Sequence, residues 1–381
     1  MSAVEQSALL PVYPAPPVTF VSGDGVRLVD DAGRSYLDFG AGIAVVSLGH
    51  RHPGPLAAAH AQLDRLWHAS NLFATEPAAE LARALSERFG GAQAFFCNSG
   101  AEANEAALKY ARKATGKPGA IALEGGFHGR TTGALAATGQ PGKRAAFEPL
   151  LPGPRFVPPN DVRALAEAAG DDVGLVLLEP VLGEGGVIPL EPEFVAAAAG
   201  LADELGALLC FDEVQTGIGR TGSFFAWERL GVKPALVTLA KALANGLPIG
   251  CLLVADEAAG AFSPGDHGST FGGNPVACAA ANAVLEAIDE TLLASVREQG
   301  ARLLDGLRGL PHVVEARGAG LLVGAQLDVP AQQVVRAALD AGLVCLTSGA
   351  DVLRLAPPLV VTAAEVDAAL EILTEALHAQ A

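Results

Sequence analysis

No uninterrupted apolar stretch in this 381-residue chain approaches the ~20 residues a membrane-spanning helix needs, although half of its residues are hydrophobic. Positive charge is also short: 25 Lys and Arg stand against 42 Asp and Glu, a net charge of −17. That balance argues against nucleic acid or an anionic membrane surface as a partner. The five cysteines (Cys97, Cys210, Cys251, Cys278, Cys345) are odd in number and widely spaced. They read as small core residues of a reducing compartment, with no metal-ligand spacing. The eight histidines form no zinc motif; His50 and His52, in Gly49-His50-Arg51-His52-Pro53, read as a loop or helix start. The opening Met1-Ser2-Ala3-Val4-Glu5-Gln6 lacks the basic segment of a secretory signal, so a cytoplasmic protein is expected. Internal repeats and disordered tracts are missing too.

What is present divides into three. A proline-rich lead (residues 11–17) precedes residues 18–37, where Gly23-Asp24-Gly25 and Asp30-Asp31-Ala32-Gly33 mark hairpin turns. From about residue 53 to 275, helical patterns (63–67, 78–89, 101–114) alternate with short apolar strands (94–97, 120–123, 173–178, 207–211, 236–239). This alternation predicts an α/β architecture, a large doubly wound, mostly parallel sheet. Residues 149–160 carry five prolines and read as a surface loop. After Pro275 come a long alanine-rich helix, a strand at 320–327, a helix near 332–341, strands near 344 and 352–355, and a last helix opened by Thr362-Ala363-Ala364-Glu365. The expected domains are 1–52, contributing to a small α+β domain; 53–275, the large domain; and 276–381, the rest of the small one.

Lysine is scarce: six in all, of which Lys109, Lys113, Lys117, Lys143 and Lys233 sit on an apparent helix, in loops or before proline. The sixth, Lys241, ends the apolar run 235–240, while a second run, 207–211, ends in Asp212-Glu213. Ligands of open α/β sheets sit at such strand ends. A lysine and an aspartate delivered there suit pyridoxal phosphate, which needs an amine to hold its aldehyde as a Schiff base and a carboxylate to keep its ring nitrogen protonated. Its phosphate needs an anchor, and Asn98-Ser99-Gly100-Ala101-Glu102 runs from a strand into a helix whose N-terminal amides suit an anion. A plain tight turn explains that segment equally well on its own. Phe127, after the strand 120–123, is placed to cover a face of the ring or to fill the core. A rival signal is Gly217-Ile218-Gly219-Arg220-Thr221-Gly222, which fits the dinucleotide fingerprint, yet Gly231 and Pro234 leave no room for the helix that must follow.

Six segments occur in order: Phe96-Cys97-Asn98-Ser99-Gly100-Ala101-Glu102, Phe127-His128-Gly129-Arg130-Thr131, Glu179-Pro180-Val181-Leu182-Gly183-Glu184-Gly185-Gly186, Phe211-Asp212-Glu213-Val214-Gln215-Thr216-Gly217, Leu239-Ala240-Lys241 and His267-Gly268-Ser269-Thr270-Phe271-Gly272-Gly273-Asn274-Pro275. Together they resemble the class III aminotransferases and, within them, the acetylornithine aminotransferases, from about Tyr36 to Pro358. The resemblance implies the type I fold of pyridoxal-phosphate enzymes and a homodimer. It implies that Lys241 bonds the cofactor and moves protons, that Asp212 pairs with the ring nitrogen, and that Gln215 bonds the phenolic oxygen. Val214 and Phe127 would sandwich the ring, and Gly100 and Ala101 would hold the phosphate. Thr270 would complete the phosphate site of the neighbouring subunit, with Ser269 near the substrate.

For substrate, the resemblance assigns Arg130 to the α-carboxylate of N-acetylornithine and Arg354 to that of glutamate, with Glu184 pairing Arg354 until glutamate displaces it. The bidentate fork of arginine suits both tasks. The implied reaction is reversible transfer of the terminal amine of N-acetyl-L-ornithine to 2-oxoglutarate, in arginine biosynthesis. Arg130-like residues occur across the relatives acting on succinylornithine, ornithine, 4-aminobutyrate or carrier-bound aminoadipate semialdehyde (lysine biosynthesis), which are the alternatives. Two positions depart from the family pattern: Val46 stands where asparagine is frequent and Leu182 where glutamine is usual. Both are expected near the substrate's tail.

Overall fold

The apolar runs assemble into one seven-stranded sheet in a computed structural model that describes residues 9–380. The opening segment Met1–Gln6 lies outside the described residues. In spatial order the strands are Ala92–Cys97, Gly250–Ala255, Leu236–Leu239, Leu208–Asp212, Val173–Leu178, Gly119–Leu123 and Pro154–Val157. All run parallel except Gly250–Ala255, which is antiparallel to both neighbours. Alternate residues of each strand serve opposite faces. Leu175 and Leu177 pack with Ala106, Ala107, Tyr110 and Ala111 of the helix Gly100–Thr115. Val176 and Leu178 pack with Phe194, Val195 and Ala198 of the helix Pro192–Leu205. Burial of each such leucine, valine or phenylalanine contributes ~1.5–3 kcal/mol, so a strand buried on both faces needs no polar residue until its end.

Two four-stranded sheets and a two-stranded pairing of Val181–Leu182 with Ile188–Pro189 accompany the seven-stranded one among the described residues. The hairpins Phe20–Asp24, Arg27–Asp30 and Ser35–Asp38 accept Leu343–Val344 from the other end of the chain as a fourth strand, parallel to Ser35–Asp38. The C-terminal sheet runs in the order Val313–Ala319, Leu322–Leu327, Val352–Leu355, Leu346–Thr347, all antiparallel. The last helix, Ala363–His378, opens on the expected capping box, with Thr362 and Glu365 each accepting from the other's backbone N–H. Among the described residues no helix is long and apolar enough to cross a membrane.

Three expectations are corrected. The helix before Trp67 is Pro53–Leu63, so residues 64–67 lie beyond its end. Within the proline-rich 149–160, Pro154–Val157 forms an edge strand; a proline is tolerated there because it opens the strand and sits at the rim of the sheet. The set of strands is also larger than predicted, by Gly250–Ala255 and by Val313–Ala319, whose Glu315, Arg317 and Gly318 interrupt any apolar run.

Candidate active site

The carboxyl ends of the parallel strands surround a cavity of about 410 Å³. Eight of the residues singled out from the sequence line it: Gly100, Ala101, Phe127, Arg130, Asp212, Val214, Gln215 and Lys241. Four pieces of local structure deliver them: the start of the helix Gly100–Thr115, the loop after Gly119–Leu123, the end of Leu208–Asp212 and the turn after Leu236–Leu239. Lys241 follows the strand Leu236–Leu239 after one residue and has φ of 41°, a left-handed backbone that turns its chain sharply out of the sheet. Such a conformation in a residue with a Cβ costs about 1–2 kcal/mol and persists only where surrounding packing fixes it. Burial and the nearby Arg354 guanidinium lower the Lys241 pKa, against the opposing pull of Asp212, Glu179 and Glu184.

Asp212 ends its strand as a buried carboxylate with three donors. Asn104 Nδ2 and His128 Nδ1 each lie 2.7 Å from its Oδ2, and the Val214 amide donates to Oδ1 at 3.0 Å. Asn104 is fixed in turn by Thr238 Oγ1, which donates to its Oδ1 at 2.8 Å. The His128 pKa is raised; burial opposes its charge, but the Asp212 hydrogen bond and the charges of Asp212 and Glu179 outweigh it. Its Nε2 is buried without a partner. Glu179 accepts from the amides of Phe127 (2.8 Å) and Gly183 (3.2 Å), and burial pushes its carboxyl up to about 7.

On the opposite wall the helix Gly100–Thr115 points its N-terminus at the cavity. Ser99 caps it by accepting from Glu102 N, and Glu102 Oε2 accepts from the Asn98 amide at 2.6 Å. The glycine at position 100 is a packing requirement: a Cβ there would come within 2.7 Å of Val214 Cγ1. Val214 and Phe127, both half-buried, supply apolar faces to the same cavity.

Arg354, on the strand Val352–Leu355, lies behind Gln215 and outside the cavity lining. It is buried, with Nη1 2.8 Å from Glu184 Oε1, 3.2 Å from Gly183 O and 3.3 Å from Gln215 Oε1, while its Nε has no partner. The Glu184 carboxyl sits below its ordinary range: Arg354 and Lys143 outweigh the burial that would raise it. Ser269 reaches the lining only through Asn98, which donates to its Oγ at 3.1 Å, and Thr270 is exposed and outside it. The two departures from the family pattern do not border the cavity. Val45 lines it instead of Val46, and Leu182 is fully buried among Ile121, Leu123 and Val176.

Four residues at or beside the site were passed over in the sequence: Asn104, His128, Glu179 and Lys143. His128 and Glu179 fall within the quoted motifs and Asn104 lies two places beyond one, so a polar residue one or four places from a predicted contact was the available signal for His128 and Asn104. Lys143, assigned to a loop, sits in the short helix Pro141–Arg144, its Nζ 3.6 Å from Glu184 Oε2 and 4.8 Å from the Phe127 ring centre. Lys143 therefore stands beside the site, while Lys241 lines the cavity itself. The donor set fits pyridoxal phosphate: one amine with lowered pKa, one buried and fully oriented carboxylate, two apolar faces and a helix N-terminus share a single cavity.

A model of the family described as aminotransferase class-III matches residues 11–377. The chain is 48% identical to the acetylornithine aminotransferase of Corynebacterium efficiens, covering 97% of this chain and 94% of that protein. It is 48% identical to that of Mycolicibacterium smegmatis, covering 99% and 97%. Among solved structures, an ornithine aminotransferase from Toxoplasma gondii superposes with a TM-score of 0.94 at 33% identity, covering 99% of this chain and 94% of that one. An N-acetylornithine aminotransferase from Stenotrophomonas maltophilia does so at 0.84 and 38%, covering 97% of each.

Proposed function

Because the chain belongs to the class III aminotransferases, a pyridoxal-phosphate family, we propose that it transfers the terminal amino group of N-acetyl-L-ornithine to 2-oxoglutarate, giving N-acetylglutamate 5-semialdehyde and glutamate. The observation that carries the reading is the pairing of two arginines with one amine. Arg130 lines the cavity in the open, and Arg354 stands behind Gln215 with its charge covered by a removable carboxylate, Glu184. A donor that presents its terminal amine leaves its α-carboxylate far from the reacting carbon, where Arg130 receives it. Glutamate presents its α-amine, so its α-carboxylate must bind close by, and Arg354 takes it once Glu184 is displaced. One site thus accepts both ends of the exchange.

When bound, pyridoxal phosphate supplies an electron sink that acidifies the carbon bearing the substrate's nitrogen. The protein's residues do the rest. Lys241 would hold the cofactor and then move the proton at the substrate carbon; burial and the Arg354 guanidinium lower its pKa, which favours the free-amine form. Asp212, locked by Asn104, His128 and the Val214 amide, would keep the ring nitrogen protonated. Gln215 would donate to the phenolic oxygen, Val214 and Phe127 would cover the ring, and Gly100 and Ala101 would present the helix N-terminus to the phosphate.

A homodimer completes this reading, with Thr270 reaching the phosphate of the partner's site and Ser269 beside the substrate. In support, Thr270 lies on a surface with exposed Trp67, Leu72, Phe73 and Phe271, and Asn71 ties the two segments together by donating to Ser269 O and Gly272 O, each at 2.9 Å. The division into residues 53–275 and a small domain built from both ends, a role in arginine biosynthesis and a cytoplasmic location belong to the same proposal. The ornithine aminotransferase likeness favours ornithine as second donor. The visible spectrum of the holoenzyme, recorded with N-acetylornithine or ornithine and no oxoacid, tests the choice. Loss of the yellow band with N-acetylornithine alone supports the first; loss with ornithine alone selects the second.

A further inference from the structure

Glu184 is held by two cations, and only one of them has a role in the exchange described above. Its Oε1 lies 2.8 Å from Arg354 Nη1 and its Oε2 lies 3.6 Å from Lys143 Nζ, so each carboxylate oxygen faces a different charge. The two contacts differ in kind. The Arg354 side chain is 4% exposed, while those of Glu184 and Lys143 are each 27% exposed. The Lys143 ammonium also rests 4.8 Å above the Phe127 ring, the ring that Arg130 approaches at 5.6 Å. Lys143 is thus anchored at the rim by an aromatic face, within ion-pair range of the carboxylate but beyond hydrogen-bond length.

For a substrate carboxylate to reach Arg354, Glu184 must leave. An anion that is only partly exposed does not leave without a counter-charge, and moving it into bare solvent forfeits the whole ion pair. Lys143 removes that difficulty. A carboxylate that turns from 3.6 Å to the ~2.8 Å of a charge-assisted hydrogen bond gains on Lys143 part of what it gives up on Arg354. Arg354 meanwhile has a buried, unpartnered Nε–H, and departure of Glu184 removes the one carboxylate on its guanidinium, leaving room for another. We propose that Lys143 is the landing partner of Glu184: a positioning residue that sets how readily Arg354 opens to an α-carboxylate, without touching the substrate. The proposal rests on the reading of Arg354 as a carboxylate site.

The test is equilibrium binding of glutarate, a dicarboxylate that cannot react, to the holoenzyme by calorimetry, in wild type, Lys143→Met, Lys143→Arg, Glu184→Gln and the Lys143→Met/Glu184→Gln double variant. A partly exposed pair is worth ~0.5–1 kcal/mol, so Lys143→Met should weaken glutarate about two- to fivefold. Lys143→Arg should bind within about twofold of wild type. With Glu184 neutral there is nothing to land, and Lys143→Met should then change affinity less than twofold. Equal loss in both backgrounds would show that Lys143 contacts the ligand directly and would overturn the proposal, as would no loss in either. Wild-type holoenzyme that binds no glutarate would overturn the carboxylate reading of Arg354 and the proposal with it. The choice of amino donor is read separately, from the response of the visible band to N-acetylornithine, and its failure would leave the landing test standing.

Discussion

Arg220 is the largest fully buried side chain, and replacing it offers a quantitative test of how the site is held together. Its Nη1 donates to Leu321 O at 3.1 Å and to Pro357 O, and its Nη2 to Ser47 Oγ at 3.0 Å. All three acceptors are neutral, and they come from the N-terminal segment, the turn before the strand Leu322–Leu327 and the segment just after Arg354. Arg220→Met keeps the aliphatic volume and deletes the charge. Three hydrogen bonds from a charged donor contribute ~1.5–3 kcal/mol each, so their loss costs ~4.5–9 kcal/mol. Relief of a buried cation with no carboxylate in contact offsets several kcal/mol of that. A net loss of about 3 kcal/mol remains. At ~2.1 cal/mol/K per residue the unfolding entropy of 381 residues is about 0.8 kcal/mol/K, which gives a Tm lower by about 4 °C in scanning calorimetry of the holoenzyme. Pro357 is three residues beyond Arg354, so glutarate affinity should fall more than cofactor affinity. A variant within 1 °C of wild type and unchanged toward glutarate would refute the view of Arg220 as a joint.

Other perturbations have equally direct outcomes. Lys241→Ala should abolish turnover and the visible band of the bound cofactor; full activity would end the proposed role. Arg354→Ala should impair the glutamate half-reaction about a hundredfold, in line with loss of a buried charge-assisted pair, and the N-acetylornithine half-reaction far less; single-turnover spectra of each half separate the two, and equal losses would sink the two-arginine reading. Gly100→Ala must displace Val214 by several tenths of an ångström and should weaken cofactor binding at least tenfold, read by equilibrium titration of the apoenzyme with pyridoxal phosphate. Burial pushes Glu213 up to about 8, though the Ala226 and Trp227 amides donate to it. With a folded pKa above the unfolded 4.5, its contribution is complete below pH 4.5 and is lost as pH rises through 8. Stability should therefore fall from pH 5 to 8, and Glu213→Gln should give a shallower fall in Tm over that window.

The parallel strands and the cofactor residues at their ends were legible because each strand is a short apolar run broken where chemistry begins. Val173–Leu178 and Leu236–Leu239 are buried along their whole length, so a charged residue at or just past such an end, Asp212 or Lys241, stands out against the apolar run before it. What escaped depends on meetings across long stretches of chain. Lys143 and Glu184 are neighbours only because a four-residue helix is folded against the Phe127 ring, and no periodicity records that. His128 was visible as a letter in a motif, yet its bond to Asp212, 84 positions away, is tertiary. Leu182 shows the converse: a departure from the family pattern that looked functional lies in the core, because the two-residue strand Val181–Leu182 turns that side chain away from the cavity.

The single antiparallel strand of the central sheet has a bearing on how the substrate range of such an enzyme can change. Lys241 leaves one central strand, and the adjacent antiparallel strand begins at Gly250, so the chain between them starts and finishes in the framework. Gly250 is seated so tightly that a Cβ would meet Ser99 O at 2.3 Å, and Asn245 moors the middle, accepting from the Leu48 amide and donating to Gly49 O. Gly246, Leu247, Pro248 and Ile249 form cavity wall within that span. Leu247 and Pro248 are exposed and can vary in size while both ends of the span, and the amine at one of them, stay where the sheet puts them, whereas Gly246 has φ of 121° and Ile249 is buried in the core. Selection or design for a bulkier or smaller amino donor can therefore act on those two positions with little disturbance to the groups around Lys241.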